Sequence, residues 1–341
     1  YLRSIGFGMA AIGLLEGVAE MVAGLGKAWF GAWSDHLGKR LPFVRWGYGL
    51  SALSKPMLAL SASIPWVFTA RTVDRVGKGL RTGARDAMLN DEAGPDNKAA
   101  VFGYHRSMDT MGAVIGPLLA LIFLLRNPGA YKPLFWIALL PGLMAIALTF
   151  MLKDKPAVAK PDRRPFGLMQ ASRYWFVAPV AYRKLVGALL VFALVNSSDM
   201  LLLLRVREAG LSDSAVIGVY IFYNLVYAAL AYPVGRMADR SGIRRMMSFG
   251  LAAFALVYAG FSFAGSWPLY MLLFVIYGFY AAATEGIAKA WIGKIVSRDE
   301  AASAIGTYTG FQSIAALVAS AWTGLVWQFA GVGWAFGISA I

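Results

Sequence analysis

The sequence predicts an all-α polytopic membrane protein whose two halves repeat. Hydrophobic residues make up 59% of the 341 positions and charged residues 15%, where a soluble domain carries about 25% charged residues. Mean hydropathy is +0.60. Apolar stretches of about 20 residues, the length that crosses a bilayer as a helix, recur along the chain. The clearest are "PLFWIALLPGLMAIALTFML" (Pro133 to Leu152) and "LVGALLVFALVNSSDMLLLL" (Leu185 to Leu204). These runs are continuously apolar and lack the two-residue alternation of barrel strands. A basic loop, "GAWSDHLGKR", returns in the second half as "GRMADRSGIRR".

Hydropathy and loop signals place spans near residues 9–30, 44–62, 64–82, 99–125, 131–152, 183–204, 214–236, 247–265, 267–290 and 301–329. A chain that opens on "YLRSIGFG" and closes on "GVGWAFGISAI" is expected to carry incomplete first and last spans. With these the parent protein would have roughly twelve. A basic, proline-containing stretch separates an N-terminal bundle (1–152) from a C-terminal bundle (183–341), with the linker at 153–182. Within it "RYWFVAP" either lies flat on the membrane surface or acts as a simple tether.

Loop charge orients the chain. Lys39, Arg40 and Arg45 share one loop, Arg236, Arg240, Arg244 and Arg245 another, and the linker is basic too. These segments fall on one side if the spans alternate, while "SASIPW" and "AGSWP" on the other side carry almost no charge. The basic side is therefore expected to be cytoplasmic, in a plasma or bacterial inner membrane. The same distribution accounts for the net charge of +14 without nucleic acid. Absence of cysteine excludes disulfides, thiolate metal sites and cysteine nucleophiles, and two histidines (His36 and His105) do not make a histidine-rich metal site. "GKGLRTG" (Gly77 to Gly83) has neither the preceding strand nor the spacing of a nucleotide loop. No metal, cofactor or enzyme chemistry is expected.

The repeated loop is G-x-x-x-D-x-x-G-x-R, with Asp35 answering Asp239, Gly38 answering Gly242 and Arg40 answering Arg244. "FGYHRSMDTMGAVIG" is echoed more weakly by "IGTYTGFQSIAALVA". A repeated bundle across a linker is an arrangement that alternating-access transporters use. On these residues the chain resembles the major facilitator superfamily over essentially its whole length. That resemblance implies two six-helix bundles related by pseudo-two-fold symmetry. It also implies a gating role for Gly31, Asp35, Gly38 and Arg40, for Asp86 nearby, and for Asp239 and Arg244 in the second copy. "GAVIGP" (Gly112 to Pro117) resembles the G-x-x-x-G-P motif of the superfamily's antiporters; its small residues would permit close packing and Pro117 a kink. The fourth-span arginine motif departs from the family pattern, with Arg75 where a small residue is expected.

Ionisable side chains at membrane depth cost about 2.5–3.5 kcal/mol each even on the lenient insertion scale, so they face a cavity or a partner. Arg71, Asp74, Arg75, Lys78 and Arg85 project toward one side of a helix at about 100° per residue. Arg71, Arg75 and Lys78 would attract an anionic solute, guanidinium forks gripping carboxylate or phosphate bidentately; alternatively the protein's own acids neutralise them. Glu16, Glu20, Asp109 and Asp199 are the candidates for carrying protons. Asp109 lies beside His105 and Arg106, and Glu285 precedes Lys289 by one turn. Tyr220, Asn224 and Tyr227 form an i, i+4, i+7 stripe; with Tyr277, Tyr308 and Gln312 they offer softer contacts to a bulky substrate.

The expectation is a monomeric secondary transporter in the lipid bilayer, exchanging protons for a small anionic or amphiphilic organic solute by alternating access. Proton-driven uptake of an anionic metabolite is the alternative within transport. A lipid-headgroup scramblase or a membrane enzyme is the alternative outside it.

Overall fold

A computed structural model describes residues 9–154 and 170–340, with the backbone alone described at 9–21, 170–172 and 213–214. The α-helices are α1 (Met9–Leu37), α2 (Leu41–Leu60), α3 (Ile64–Glu92), α4 (Lys98–Arg126), α5 (Tyr131–Thr149), α6 (Gln170–Val177), α7 (Val180–Ala193), α8 (Asp199–Glu208), α9 (Asp213–Ser241), α10 (Ile243–Phe263), α11 (Trp267–Ile295), α12 (Ala301–Ala330) and α13 (Val332–Ser339). Among the described residues, six helices are long and apolar enough to cross a membrane. A chain in lipid must satisfy its backbone internally, which is why apolar runs become helices there and why Pro56, Pro117, Pro141 and Pro233 are tolerated inside them.

The chain forms two compact units, and each draws on both halves of the sequence. One comprises Tyr1–Met88, Leu118–Arg183 and Val296–Ile314; the other Leu89–Pro117, Lys184–Ile295 and Ala315–Ile341. In lipid the helices gain little from apolar burial, so close approach over small residues carries the packing. In the first unit a Cβ on Gly77 would meet the Gly47 carbonyl oxygen at 2.7 Å, and one on Gly142 would meet Ala52 at 2.8 Å. In the second, one on Gly250 would meet Thr284 at 2.8 Å and one on Gly278 would meet Val226 at 2.7 Å.

Two sequence expectations change here, and the linker gains a described helix. The span drawn through 183–204 is not one helix but two, α7 and α8, interrupted at Leu194–Ser198. Asn196, Ser197 and Ser198 compete for the backbone, and the Ser198 hydroxyl caps α8 by accepting from Met200 N at 3.3 Å. Gly112 and Gly116 make no close packing among the described residues: a Cβ on either meets nothing within 4 Å. The linker helix α6 turns Tyr174 inward, its ring edge-on to Tyr182 at 5.4 Å, and sets Trp175 edge-on to Phe311 at 6.2 Å. It docks on its own unit, with Arg173, Phe176 and Val177 exposed.

Candidate functional site

The repeated loop builds the same device twice. In the first unit a Cβ on Gly31 would meet the Ala302 carbonyl oxygen at 2.5 Å, so only glycine lets α1 lie against the start of α12. Asp35, buried one turn later, accepts from the Ser303 backbone N–H at 2.6 Å and from Arg40 Nη1 at 3.1 Å. Gly38 turns the chain at φ +63°, and the Arg40 guanidinium reaches the Arg298 carbonyl at 2.9 Å. A carboxylate on the first N–H groups of a helix meets both unsatisfied donors and the positive end of the dipole.

In the second unit Gly235 lies against Ala99 and Ala100 at the start of α4. Asp239 accepts from Ala99 N at 3.2 Å and Ala100 N at 2.8 Å, and Gly242 turns at φ +101°. The copies differ in their cation. Arg244 stands exposed at the start of α10, and the charge beside Asp239 is Lys294 of α11, at 3.6 Å. Lys294 was missed because nothing in the loop motif points to α11.

The linker is tied to the first device. Asp154 Oδ2 accepts from Arg40 N at 2.9 Å and Leu41 N at 3.0 Å, capping α2. Tyr182 donates to the Ala304 carbonyl at 2.8 Å. Burial and the neighbouring Glu300 and Asp35 carboxylates push the Tyr174 hydroxyl well above the ordinary tyrosine range. Asp86, fully buried, accepts from Arg85 at 3.1 Å.

The cationic stripe on α3 lies in the first unit. Arg71, Arg75 and Lys78 are all half-buried. Asp74 turns to α2, where Lys55 donates to it at 3.2 Å and Ser54 at 3.5 Å. Arg81 follows it, donating to Ser51 at 2.6 Å with its guanidinium 4.7 Å from the centre of the Tyr48 ring. Lys55, overlooked in a short apolar run, is thus a partner of Asp74 that the helical angle of α3 does not reveal. Tyr308 is buried and Gln312 half-buried on α12. Glu16 and Glu20 lie on α1, their side chains outside the described residues.

The second unit holds a denser network. Arg106 of α4 forms an ion pair with Glu285 of α11 and donates from Nε to the Tyr227 hydroxyl of α9 at 2.6 Å. Tyr227 donates onward to Glu285 Oε2 at 2.9 Å, and Asp109 takes a second edge of the guanidinium at 3.4 Å. The Arg106 and Glu285 side chains are 35% and 38% exposed. Arg106 lies eight residues into α4, about 12 Å from its start at 1.5 Å per residue. At the helix break Asp199 accepts from the Tyr277 hydroxyl at 2.6 Å. Asn196 donates to Tyr280 at 2.8 Å, and the Ser197 and Tyr258 hydroxyls pair at 3.0 Å. Asn224 is bonded back to the Tyr220 carbonyl at 2.8 Å.

So of the predicted residues the fold brings together Asp109 and Tyr227 in one network and Asp199 and Tyr277 in another. It adds Arg106 and Glu285, which the sequence offers beside Asp109 and Lys289 but does not pair with each other.

Long apolar helices, helix-start caps repeated in each half, and ionisable groups held within the helices define an integral membrane protein. The match to the family model described as the Major Facilitator Superfamily covers residues 1–223 and 201–341. The chain belongs to that superfamily and is an MFS transporter. It is 29% identical over 333 residues to an uncharacterized MFS-type transporter of Methanocaldococcus jannaschii, covering 96% of this chain and 82% of the relative. It is 26% identical to the class G tetracycline resistance protein of Vibrio anguillarum, covering 87% and 78%. Its fold superposes on the crystal structure of the human organic anion transporter MFSD10 (TETRAN) with a TM-score of 0.86 at 18% identity, covering 99% of this chain and 84% of that one.

Proposed function

We propose that the protein is a proton-coupled antiporter that exports a small anionic or amphiphilic organic solute. The observation that carries the coupling is one guanidinium, Arg106, shared by two carboxylates, Glu285 and Asp109, on different helices and none of the three fully buried. Protonating Glu285 removes its hold on Arg106, whose charge is then available to Asp109 or to an anionic solute. Tyr227 bonds both partners and can follow either. Asp199, with its Tyr277 bond, is the second candidate carrier.

Arg71, Arg75 and Lys78 are the proposed anion-attracting groups, with Tyr220, Asn224, Tyr277, Tyr308 and Gln312 as softer contacts. The organic anions in the name of MFSD10 and the resistance function of the Vibrio relative support an exported anionic solute. Asp35 and Asp239 are the proposed gates, breaking and re-forming their helix caps as access alternates. The linker is placed in the cytoplasm, the protein in a bacterial inner membrane, and the working form is a monomer.

Flux into proteoliposomes with an imposed pH gradient tests the reading. Solute should accumulate only with the gradient, and Glu285→Gln should lower gradient-driven flux at least tenfold while solute exchange without a gradient persists. Uphill accumulation by Glu285→Gln at the wild-type rate overturns the assignment of Glu285. Movement of lipid without any gradient, or covalent change of the solute, would replace transport coupling with the scramblase or enzyme reading.

A further inference from the structure

Tyr223 of α9 joins the Asp199 and Glu285 networks of the second unit. It is buried, and its hydroxyl donates to Asp199, whose other tyrosine donor is Tyr277 at 2.6 Å. Tyr227, one turn further along α9, donates to Glu285 at 2.9 Å. Residues four apart share a helix face, and the Tyr223 and Tyr227 rings stack with centroids 6.2 Å apart and planes 26° from parallel. The two carboxylates are thus held by tyrosines on successive turns of one helix. The groups that act on Asp199 are Tyr277 and Glu285 of α11, Arg106 of α4 and Tyr223 itself. Tyr258 of α10 stands behind, bonded to the Tyr277 hydroxyl. Around Glu285 stand Arg106 and Tyr227, with Asp109 on the same guanidinium. Asp199, Glu285 and Arg106 all act on the Tyr223 hydroxyl.

We infer that Asp199 and Glu285 share one proton, and that the Tyr223 hydroxyl is the donor that serves whichever of them is ionised. The inference rests on the coupling role proposed for these two acids, and it makes them one site rather than two. An ionised carboxylate only accepts, whereas a protonated one spends an oxygen as a donor. When Asp199 takes the proton it releases one of its two donors. Rotation about the Tyr223 C–O bond then turns that hydroxyl toward Tyr227 and Glu285, where it supports the remaining negative charge. When Glu285 takes the proton, Tyr223 keeps the bond to Asp199 seen here. Repulsion between two neighbouring carboxylates favours one proton over none. Arg106 and the tyrosine donors, which need an anion to hold, favour one over two. Tyr223 touches neither gate, so it is a positioning residue.

The test is an infrared titration of full-length protein in lipid, following the stretching bands of protonated carboxyl groups. Asp199→Asn and Glu285→Gln assign the bands. In wild type both bands should titrate in two shared steps, as interacting acids do. Glu285→Gln should move the midpoint of the Asp199 band by about one pH unit, tenfold in proton affinity. Tyr223→Phe keeps the ring and removes the hydroxyl, and should reduce that response to about threefold or less. Tyr277→Phe removes the other donor of Asp199 and should leave the response to Glu285→Gln intact. An Asp199 midpoint indifferent to Glu285→Gln, or a band missing from either acid at every pH, overturns the sharing. A response that survives Tyr223→Phe, or that Tyr277→Phe abolishes equally, overturns the role of Tyr223. No solute or gradient enters this titration, so its failure is distinct from a failure of gradient-driven flux. The Glu285→Gln arm decides the sharing even if Tyr223→Phe melts early.

Discussion

At the scale of single residues, the repeated loop shows how a motif encodes contacts. Gly31 and Gly235 are required because another helix's backbone occupies the place of their Cβ, and Asp35 and Asp239 because a helix start needs an acceptor. Gly31→Ala should push α12 off α1 and cost about 1–3 kcal/mol, the range for overpacking. A thermal-melting series against Gly112→Ala, which meets open space, checks this; equal melting of the two variants would refute it. The glycines and aspartates of the loop were legible from sequence since they meet backbone atoms, present whatever the partner residues are, whereas Lys294, a side-chain partner from α11, was not. The Arg106–Glu285 pair was not legible, because it depends on which faces of α4 and α11 meet. The stripe on α3 was legible in part. Lys55 donates to Asp74 from α2, a contact that depends on which faces of α2 and α3 meet, while Arg71, Arg75 and Lys78 stay half-buried on α3. Arg71→Ala and Arg75→Ala should each weaken solute binding about tenfold or more, the loss of a charge-assisted contact of about 1.5–3 kcal/mol. Arg71→Lys should recover only part of it, lacking the planar fork. Calorimetric titration decides: normal binding with early melting would make these arginines structural ion-pair partners.

At the scale of elements, spans were legible from hydropathy but the interruption between α7 and α8 was not, because a window average over Leu185 to Leu204 is dominated by leucine and valine. The polar triplet Asn196–Ser197–Ser198 breaks the helix only since partners receive it. Tyr280, Tyr258 and Ser320 satisfy groups that lipid would leave unpaired. The break puts Asp199 in the first turn of a helix, where a carboxylate is favoured by the dipole. Changing Asn196, Ser197 and Ser198 together to alanine should heal the helix. Amides at 194–198 should then exchange with deuterium at least tenfold more slowly, and gradient-driven flux should fall as Asp199 loses its place. Unchanged exchange would show that the break is imposed by packing rather than by the triplet.

At the scale of the whole molecule, charge asymmetry in the loops sets a sidedness that contacts within the first unit make specific. Residues 41–60 of α2 rise about 30 Å at 1.5 Å per residue, the thickness of the hydrocarbon core. Arg40 stands at one end of this helix and Ser61 at the other. Asp154, at the start of the linker, bonds the backbone of Arg40 and Leu41, so the linker begins at the Arg40 end, about a membrane's thickness from Ser63. The basic end should be cytoplasmic. Because the chain has no cysteine, single cysteines label without background. Lys153→Cys and Arg183→Cys should react with a membrane-impermeant maleimide only from the cytoplasmic side, and Ser63→Cys and Ser266→Cys only from the other. All four positions are exposed, so a failure to label from the stated side cannot be put down to burial. Labelling of Lys153→Cys and Ser63→Cys from the same side would mean that α2 does not cross the bilayer, and the spanning topology would fall with it.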